Sequence, residues 1–215
     1  MPLYFGMVDK DYEDTVTKNL AEEVERNNHA LTSGDVGYRY LLQALQQAGY
    51  SDIIYKMNSR SDVPGYGYQL EKGATSLTES WKAEGSSHNH MMLGHLMEWF
   101  YSGLGGIGQS EGSVAYKEIV IKPAFVEGID SASTGYVSSY GPINCNWEKN
   151  NNSVNLTIDI PVNTSALIYL DKKTKSTVME GKRKIGTAKE IVILSENDEQ
   201  VVCRVGSGKY KFIIF

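Results

Sequence analysis

The period at which apolar residues recur changes partway along this chain, and that change restricts the fold more than any other feature. From Asp11 to Asn27, Tyr12, Val16, Leu20 and Val24 return every four residues, with acidic residues early in the segment. That spacing predicts an amphipathic helix with one buried face. Beyond about residue 112 the spacing falls to two. Ile119 and Ile121, then Ile143, Cys145 and Trp147, then Val154, Leu156, Ile158 and Ile160 alternate with polar neighbours. Alternation of this kind predicts strands with one face buried. Further runs at 166–170, 190–194, 201–205 and 210–214, separated by Asn, Gly and Lys turns, bring the expected number to roughly eight short antiparallel strands at sandwich-like spacing. The chain is therefore expected to be α+β by domain, all-α over residues 1–111 and a β-sandwich over 112–215. At 215 residues and 41% hydrophobic, it holds enough apolar material for two cores.

Two more helices are expected in the first half. One carries Tyr38, Leu41, Leu42 and Leu45 and ends near Gly49, a C-terminal capping glycine. Ser51 is expected to cap a short helix holding Ile53, Ile54 and Met57. A third long helix is expected from just after His88 to about Gly103, burying Met92, Leu96, Trp99 and Phe100, with Gly103, Gly105 and Gly106 stopping it. Between these lies 63–84, with Pro64, Gly65, Gly67 and Gly73, too irregular for a helix and too long for an ordinary connection. So few helices do not close a bundle, and the chain opens directly into Leu3-Tyr4-Phe5, so the helical half is expected to be a piece of a larger helical domain.

Charge and cysteine content exclude several function classes. The formal net charge is −5, and the densest basic stretch, Lys182-Arg183-Lys184, reads as an exposed turn. A nucleic-acid partner would need clustered Lys and Arg to displace counterions, so none is expected. No apolar run reaches the roughly 18 residues of a membrane-spanning helix, and the N-terminus shows no signal-peptide pattern. Cys145 and Cys203 are the two cysteines and cannot form a zinc site by themselves. His88, His90 and His95 invite a metal reading, but residues two apart on a helix diverge and cannot share one ion. No metal and no cofactor are expected.

The stretch that carries chemistry runs from Val63 to Trp81 and continues into Ser87-His88-Asn89-His90. Its aromatic rings, Tyr66, Tyr68 and Trp81, suit the apolar face of a sugar. Glu71 and Glu79 suit acid or base roles, and imidazole and amide groups bind hydroxyls. On composition alone Glu79 also reads as a surface carboxylate, Trp81 and Trp99 as core, the histidines as core or capping residues, and Asp35 and Asp62 as cap or turn residues.

The blocks Leu31-Thr-Ser-Gly34, Tyr40-Leu-Leu-Gln-Ala-Leu45, Pro64-Gly-Tyr-Gly-Tyr68, Gly73-Ala-Thr-Ser-Leu-Thr-Glu-Ser-Trp81, Ser87-His-Asn-His90 and Glu98-Trp-Phe-Tyr101 stand in an order and spacing that resembles the C-terminal part of bacterial α-L-rhamnosidases, glycoside hydrolase family 78. The resemblance covers most of residues 1–122, and the β half also resembles that family's C-terminal sandwich. It implies that the helices belong to an incomplete (α/α)6 barrel, and that a terminal α-L-rhamnosyl residue of a glycoside or polysaccharide is the substrate. It also implies inverting hydrolysis, in which one carboxylic acid protonates the leaving oxygen and a second activates water. Carried over block by block, Glu79 is the general base and His90 contacts the bound rhamnose. Trp81 is expected as a wall beside the sugar, on the side of Glu79 if the loop is extended there. Tyr66, where the family more often has tryptophan, is expected as a stacking residue. Thr78 and Ser80 replace the family's tryptophan and arginine on either side of Glu79. The family's general acid lies upstream of the matched part, so the isolated chain is expected to be inactive. The relatives are often exported, so a periplasmic or extracellular parent is expected.

Two readings from other classes stand beside this one. The sandwich, with Tyr136, Tyr140 and Trp147 near one strand pair, reads as a non-catalytic carbohydrate-binding module. The open side of an incomplete barrel predicts an exposed apolar surface and hence self-association.

Overall fold

The chain divides between Trp99 and Phe100 into a helical unit and a β unit, in a computed structural model that describes residues 1–172, 174 and 176–215. In the helical unit α1 spans Lys10–Arg26, and the Asp9 side chain accepts the Asp11 N–H at its start, 3.2 Å away. Its buried face is Thr17, Ala21 and Val24. The expected stripe holds only in its second half: Val24 is buried and Leu20 partly so, whereas Tyr12 is 64% exposed and Val16 is exposed too. Small side chains at Thr17 and Ala21 let neighbouring helices approach closely, which a Tyr-Val stripe does not.

Helix α2 (Asp35–Gln47) ends as its glycine predicts. Gly49 takes φ +83, which a residue without Cβ adopts freely, and the N–H of Tyr50 returns to the Leu45 carbonyl at 2.8 Å. Helix α3 (Ser51–Ser59) buries Ile53, Ile54 and Met57. Ser51 is its first residue and not its cap, and its hydroxyl accepts from Trp99 Nε1 at 3.2 Å instead. Inside the segment expected to be irregular, α4 spans Tyr66–Glu71. Tertiary packing explains it: a Cβ on Gly67 would lie 2.4 Å from the Arg60 carbonyl oxygen, so only glycine lets this turn sit so close, and Gln69 is buried beneath it. The expected long helix after His88 is broken up. Met91–His95 is a 3-10 turn, α5 is only Leu96–Trp99, and Phe100–Leu104 is a π-helical turn. Leu93 and Trp99 are buried, whereas Met92 and Phe100 are exposed, because the changing twist rotates successive turns away from one face.

The β unit contains β1 (Ile107–Gln109), β2 (Glu118–Ile121), β3 (Ser131–Ser138), β4 (Gly141–Asn150), β5 (Ser153–Ile160), β6 (Ser165–Asp171), β7 (Val178–Glu180), β8 (Arg183–Lys184), β9 (Ile191–Glu196), β10 (Gln200–Val205) and β11 (Gly208–Ile214). One sheet runs β1-β2-β6-β10-β9 and the other β3-β4-β5-β11-β7-β8. Pairing is antiparallel except between β2 and β6, which run parallel with Glu118 opposite Ser165 and Ile121 opposite Ile168. The all-antiparallel expectation needs that one correction, because the chain leaves β2 for the other sheet and returns to β6 from the same end.

Inward residues of both sheets form one core. Ile119 and Ile121 from β2, Ile143, Cys145 and Trp147 from β4, and Leu156, Ile158 and Ile160 from β5 meet Ile168, Leu170, Val201, Cys203 and Phe212. These are the residues the two-residue period selects. Gly106 closes one corner: its φ is +70, and a Cβ there would meet Pro123 N at 2.2 Å. Cys145 and Cys203 are free thiols, and burial pushes both up to about 12.

Ile158→Ala should destabilise the β unit by about 2–5 kcal/mol, since it opens a cavity among close-packed neighbours; urea unfolding followed by far-UV circular dichroism measures this. Neither cysteine should react with a disulfide reagent at neutral pH in the native chain, and both should react once it is unfolded.

Candidate functional site

Residues 73–90 contain neither helix nor strand. Their geometry comes from backbone bridges between two limbs of one loop. The N–H of Glu79 donates to the Ser87 carbonyl at 2.8 Å, and that of His90 to the Leu77 carbonyl at 3.0 Å. Ser76 Oγ donates to the His88 carbonyl. These bonds draw Glu79 alongside the Ser87–His90 segment. The Glu79 carboxylate is exposed and, among the described residues, meets only the Ser87 N–H, at 3.5 Å. Among the described residues no cation pairs with it.

Trp81 anchors this loop. It is 7% exposed, and its Nε1 donates to the Ser33 carbonyl at 2.8 Å. Its ring meets Tyr38 at 4.9 Å and Tyr66 at 5.2 Å, both edge-on. Such pairs add about 0.5–1.5 kcal/mol each beyond the area they bury. The chain is not extended between Glu79 and Trp81. The Ser80 carbonyl accepts from Thr78 Oγ1 at 2.7 Å and from the Ala83 N–H at 2.9 Å, making a turn. Glu79 consequently faces solvent while Trp81 faces inward.

Tyr66 is half-buried, and its hydroxyl donates to the Leu93 carbonyl. Burial pushes its phenol up to about 12. Tyr38 is fully buried and donates to Asn58 Oδ1 at 2.7 Å, and burial raises its phenol further still. Gln69, buried under α4, accepts from the Thr78 N–H at 3.4 Å through Oε1. Three buried polar atoms here have no partner among the described residues: Ser33 Oγ, Gln69 Nε2 and His95 Nδ1.

His90 is held by its ring as well as its backbone. Its Nε2 lies 3.1 Å from Asp35 Oδ2, and that hydrogen bond is the main cause that lowers the Asp35 carboxyl below the usual carboxylate range. The first two turns of α2 continue the pairing. Arg39 grips Glu98 with Nε at 2.7 Å and Nη2 at 2.9 Å, which holds the Glu98 carboxyl below its ordinary value. His95 lies near Asp35, Arg39 and Glu98, and burial, then Arg39, lowers its imidazole. His88 points away from this group, with Nε2 3.2 Å from the Ala83 carbonyl.

The structure thus brings Glu79 and His90 together on one loop, and Tyr66 and Trp81 together beneath it. The sequence predicts a cap or turn role for Asp35. The N-cap of α2 is Gly34 and Asp35 is its first helical residue: its Oδ1 accepts the Val36 N–H at 2.8 Å, and its other oxygen serves His90. The signal available was the spacing of Asp35, Arg39 and Gln43, which places three polar groups on one face of α2. In the β unit, Trp147 is buried and donates to the Leu104 carbonyl at 2.9 Å, whereas Tyr136 and Tyr140 are about 40% exposed. Among the described residues, no helix is long and apolar enough to cross a membrane.

Comparison with known proteins bears on both units. A family model described as bacterial alpha-L-rhamnosidase 6 hairpin glycosidase domain matches residues 1–104, and one described as bacterial alpha-L-rhamnosidase C-terminal domain matches residues 106–185. An alpha-L-rhamnosidase of Streptomyces avermitilis is 26% identical over all of this chain, which covers 21% of that protein. The solved structure of an α-L-rhamnosidase from Dictyoglumus thermophilum matches 99% of this chain and 24% of its own at 32% identity, with a TM-score of 0.86. That of the Streptomyces avermitilis α-L-rhamnosidase complexed with L-rhamnose matches 100% and 21% at 25% identity, also with a TM-score of 0.86. The chain spans about a fifth to a quarter of the length of these relatives.

Glu98→Gln should lower stability at neutral pH by up to about 1 kcal/mol, the range for a pair this exposed. The carboxyl is depressed in the folded chain, so its contribution is present above the unfolded value and fades as pH falls through the folded one. Urea titrations at neutral and acidic pH should therefore show the wild-type advantage shrinking on acidification.

Proposed function

We propose, for a chain that belongs to the bacterial α-L-rhamnosidase family, that it supplies the basic half of a catalytic pair which hydrolyses terminal α-L-rhamnosyl residues with inversion. The observation that carries this is the Glu79 carboxylate: it has no cationic partner among the described residues and stands at the surface of a loop whose backbone is bridged at Ser87 and Leu77. A carboxylate so placed can accept a proton from a water molecule as that water attacks the anomeric carbon. Inversion needs room for the water, with the acid about 6.5–9.5 Å from the base. His90, close by on the same loop, contacts a sugar hydroxyl. The half-buried Tyr66 ring is the surface against which the apolar face of the sugar rests, and Trp81, packed inward against it, supports it from beneath instead of walling the sugar. The helical unit, Met1–Trp99, is then the end of the catalytic barrel, and Phe100–Phe215, whose first strand Ile107–Gln109 precedes the expected boundary at 111, its accompanying sandwich, in an exported parent.

The acid belongs to a part of the parent upstream of these helices, so the isolated chain turns over little or no substrate. A missing general acid costs about 10²–10⁴-fold, and the loss of the remaining pocket adds to it. A second reading, self-association, is favoured by the exposed Phe5, Met7, Val36, Met91 and Met97 of the helical unit. Light scattering at rising concentration should then show oligomers, and a monomer throughout would discard that reading.

The main test is release of p-nitrophenol from p-nitrophenyl α-L-rhamnoside. The chain alone should show at most trace activity. In a longer polypeptide restoring the upstream helices, Glu79→Gln should reduce kcat by about 10²–10⁴-fold, and proton NMR should show β-L-rhamnose as the first product. Full activity in the Glu79→Gln variant would remove Glu79 from the mechanism, and α-L-rhamnose appearing first would remove inversion.

A further inference from the structure

A histidine that binds a hydroxyl must present the right nitrogen to it. Neutral imidazole has one donor and one acceptor, and the partner of one nitrogen decides what the other offers. In this chain Nε2 of His90 faces Asp35 Oδ2 at 3.1 Å. Asp35 is an acceptor here, held ionised by that same contact and by the Val36 N–H. An ionised carboxylate accepts only, so Nε2 must carry the proton. Nδ1 is then the acceptor, and among the described residues it has no partner.

The surroundings fix this arrangement rather than leaving it to chance. Asp35 is the first residue of a 13-residue helix, and both of its oxygens are engaged. A carboxylate there is further favoured by the positive end of the helix dipole. His90 is bound through its main chain to Leu77, in the limb that also carries Glu79. One α2 turn further on, the two-point grip of Arg39 on Glu98 ties α2 to α5, which follows His90 in the chain. Ring orientation and backbone position are thus set from opposite directions. A loop residue tied by its main chain to Leu77 and by its ring to a carboxylate on a helix is positioned more closely than a loop side chain alone.

We propose that Asp35 is a positioning residue: it keeps the proton on Nε2 of His90 and so leaves Nδ1 as an acceptor for a hydroxyl proton of the sugar. The proposal rests on the reading of His90 as a sugar contact. The tautomer can be measured without any sugar, so failure of that reading and failure of this one are distinguishable.

The four histidines of the chain can be separated by long-range proton–nitrogen NMR of the full-length chain at about pH 8, above the ordinary imidazole value of about 6.5. In the wild type, His90 should show a protonated Nε2 and a bare Nδ1 in a single form. Its Nε2 proton should exchange with water at least about tenfold more slowly than in Asp35→Ala, where the charged acceptor is gone. Asp35→Asn, which keeps an acceptor oxygen without the charge, should fall between them. A proton on Nδ1 in the wild type, or the same form and exchange rate in wild type and Asp35→Ala, would overturn the proposal. In the longer polypeptide that restores the upstream helices, methyl α-L-rhamnoside then reads the other half: it should move the Nδ1 resonance of His90. A locked tautomer with Nδ1 indifferent to the sugar would discard His90 as the contact while leaving the positioning by Asp35 intact.

Discussion

The loop that carries Glu79 has no regular structure, so something other than a hydrogen-bond ladder must hold it, and that something is the burial of Trp81. Fully burying a large side chain stabilises by about 1.5–3 kcal/mol, and the indole also donates to the Ser33 carbonyl. Tyr38 from α2 and Tyr66 from α4 close around the ring. One side chain thereby joins the loop to two helices. The turn at Ser80 then does the rest: with Trp81 directed inward, the chain reverses and Glu79 is left outside. Exposure of the carboxylate follows from the anchoring of its neighbour.

Much of the β unit was legible from the two-residue period, because a sheet with one buried face writes its orientation directly into alternate positions. Ile143, Cys145 and Trp147, or Leu156, Ile158 and Ile160, admit only one inward side. Strands too short or too exposed to show a period, such as β1, β7 and β8, left no such mark. The helical unit was harder to read. In α1 only the second half of the apolar stripe, Leu20 and Val24, is turned inward, and Thr17 and Ala21 are buried in place of Tyr12 and Val16. In α4, packing of Gly67 against the Arg60 carbonyl overrides a glycine-rich sequence that locally disfavours helix.

The site was legible as a motif and not as a geometry. The block from Gly73 to Trp81 identifies Glu79 through its neighbours, and nothing in that block says which of them face out. Asp35 was missed for a plainer reason. A carboxylate at a helix start has a sufficient local explanation in its bond to the next backbone N–H, and its second partner lies 55 residues away. Only the fold reveals that one carboxylate serves both purposes, and likewise that Arg39 and Glu98 meet across 59 residues.

The lone parallel pair in the β unit has a consequence for how that unit forms. To run from β2 to β6 in the same direction, the chain must first lay down β3, β4 and β5 in the opposite sheet. Neither sheet is therefore a continuous stretch of polypeptide, and neither can be completed before the other is begun. Contacts between distant residues dominate, which slows the search for the native state and makes its completion abrupt. The two layers are knitted from a single thread, so the sandwich has no half that could be cut away and still keep its shape.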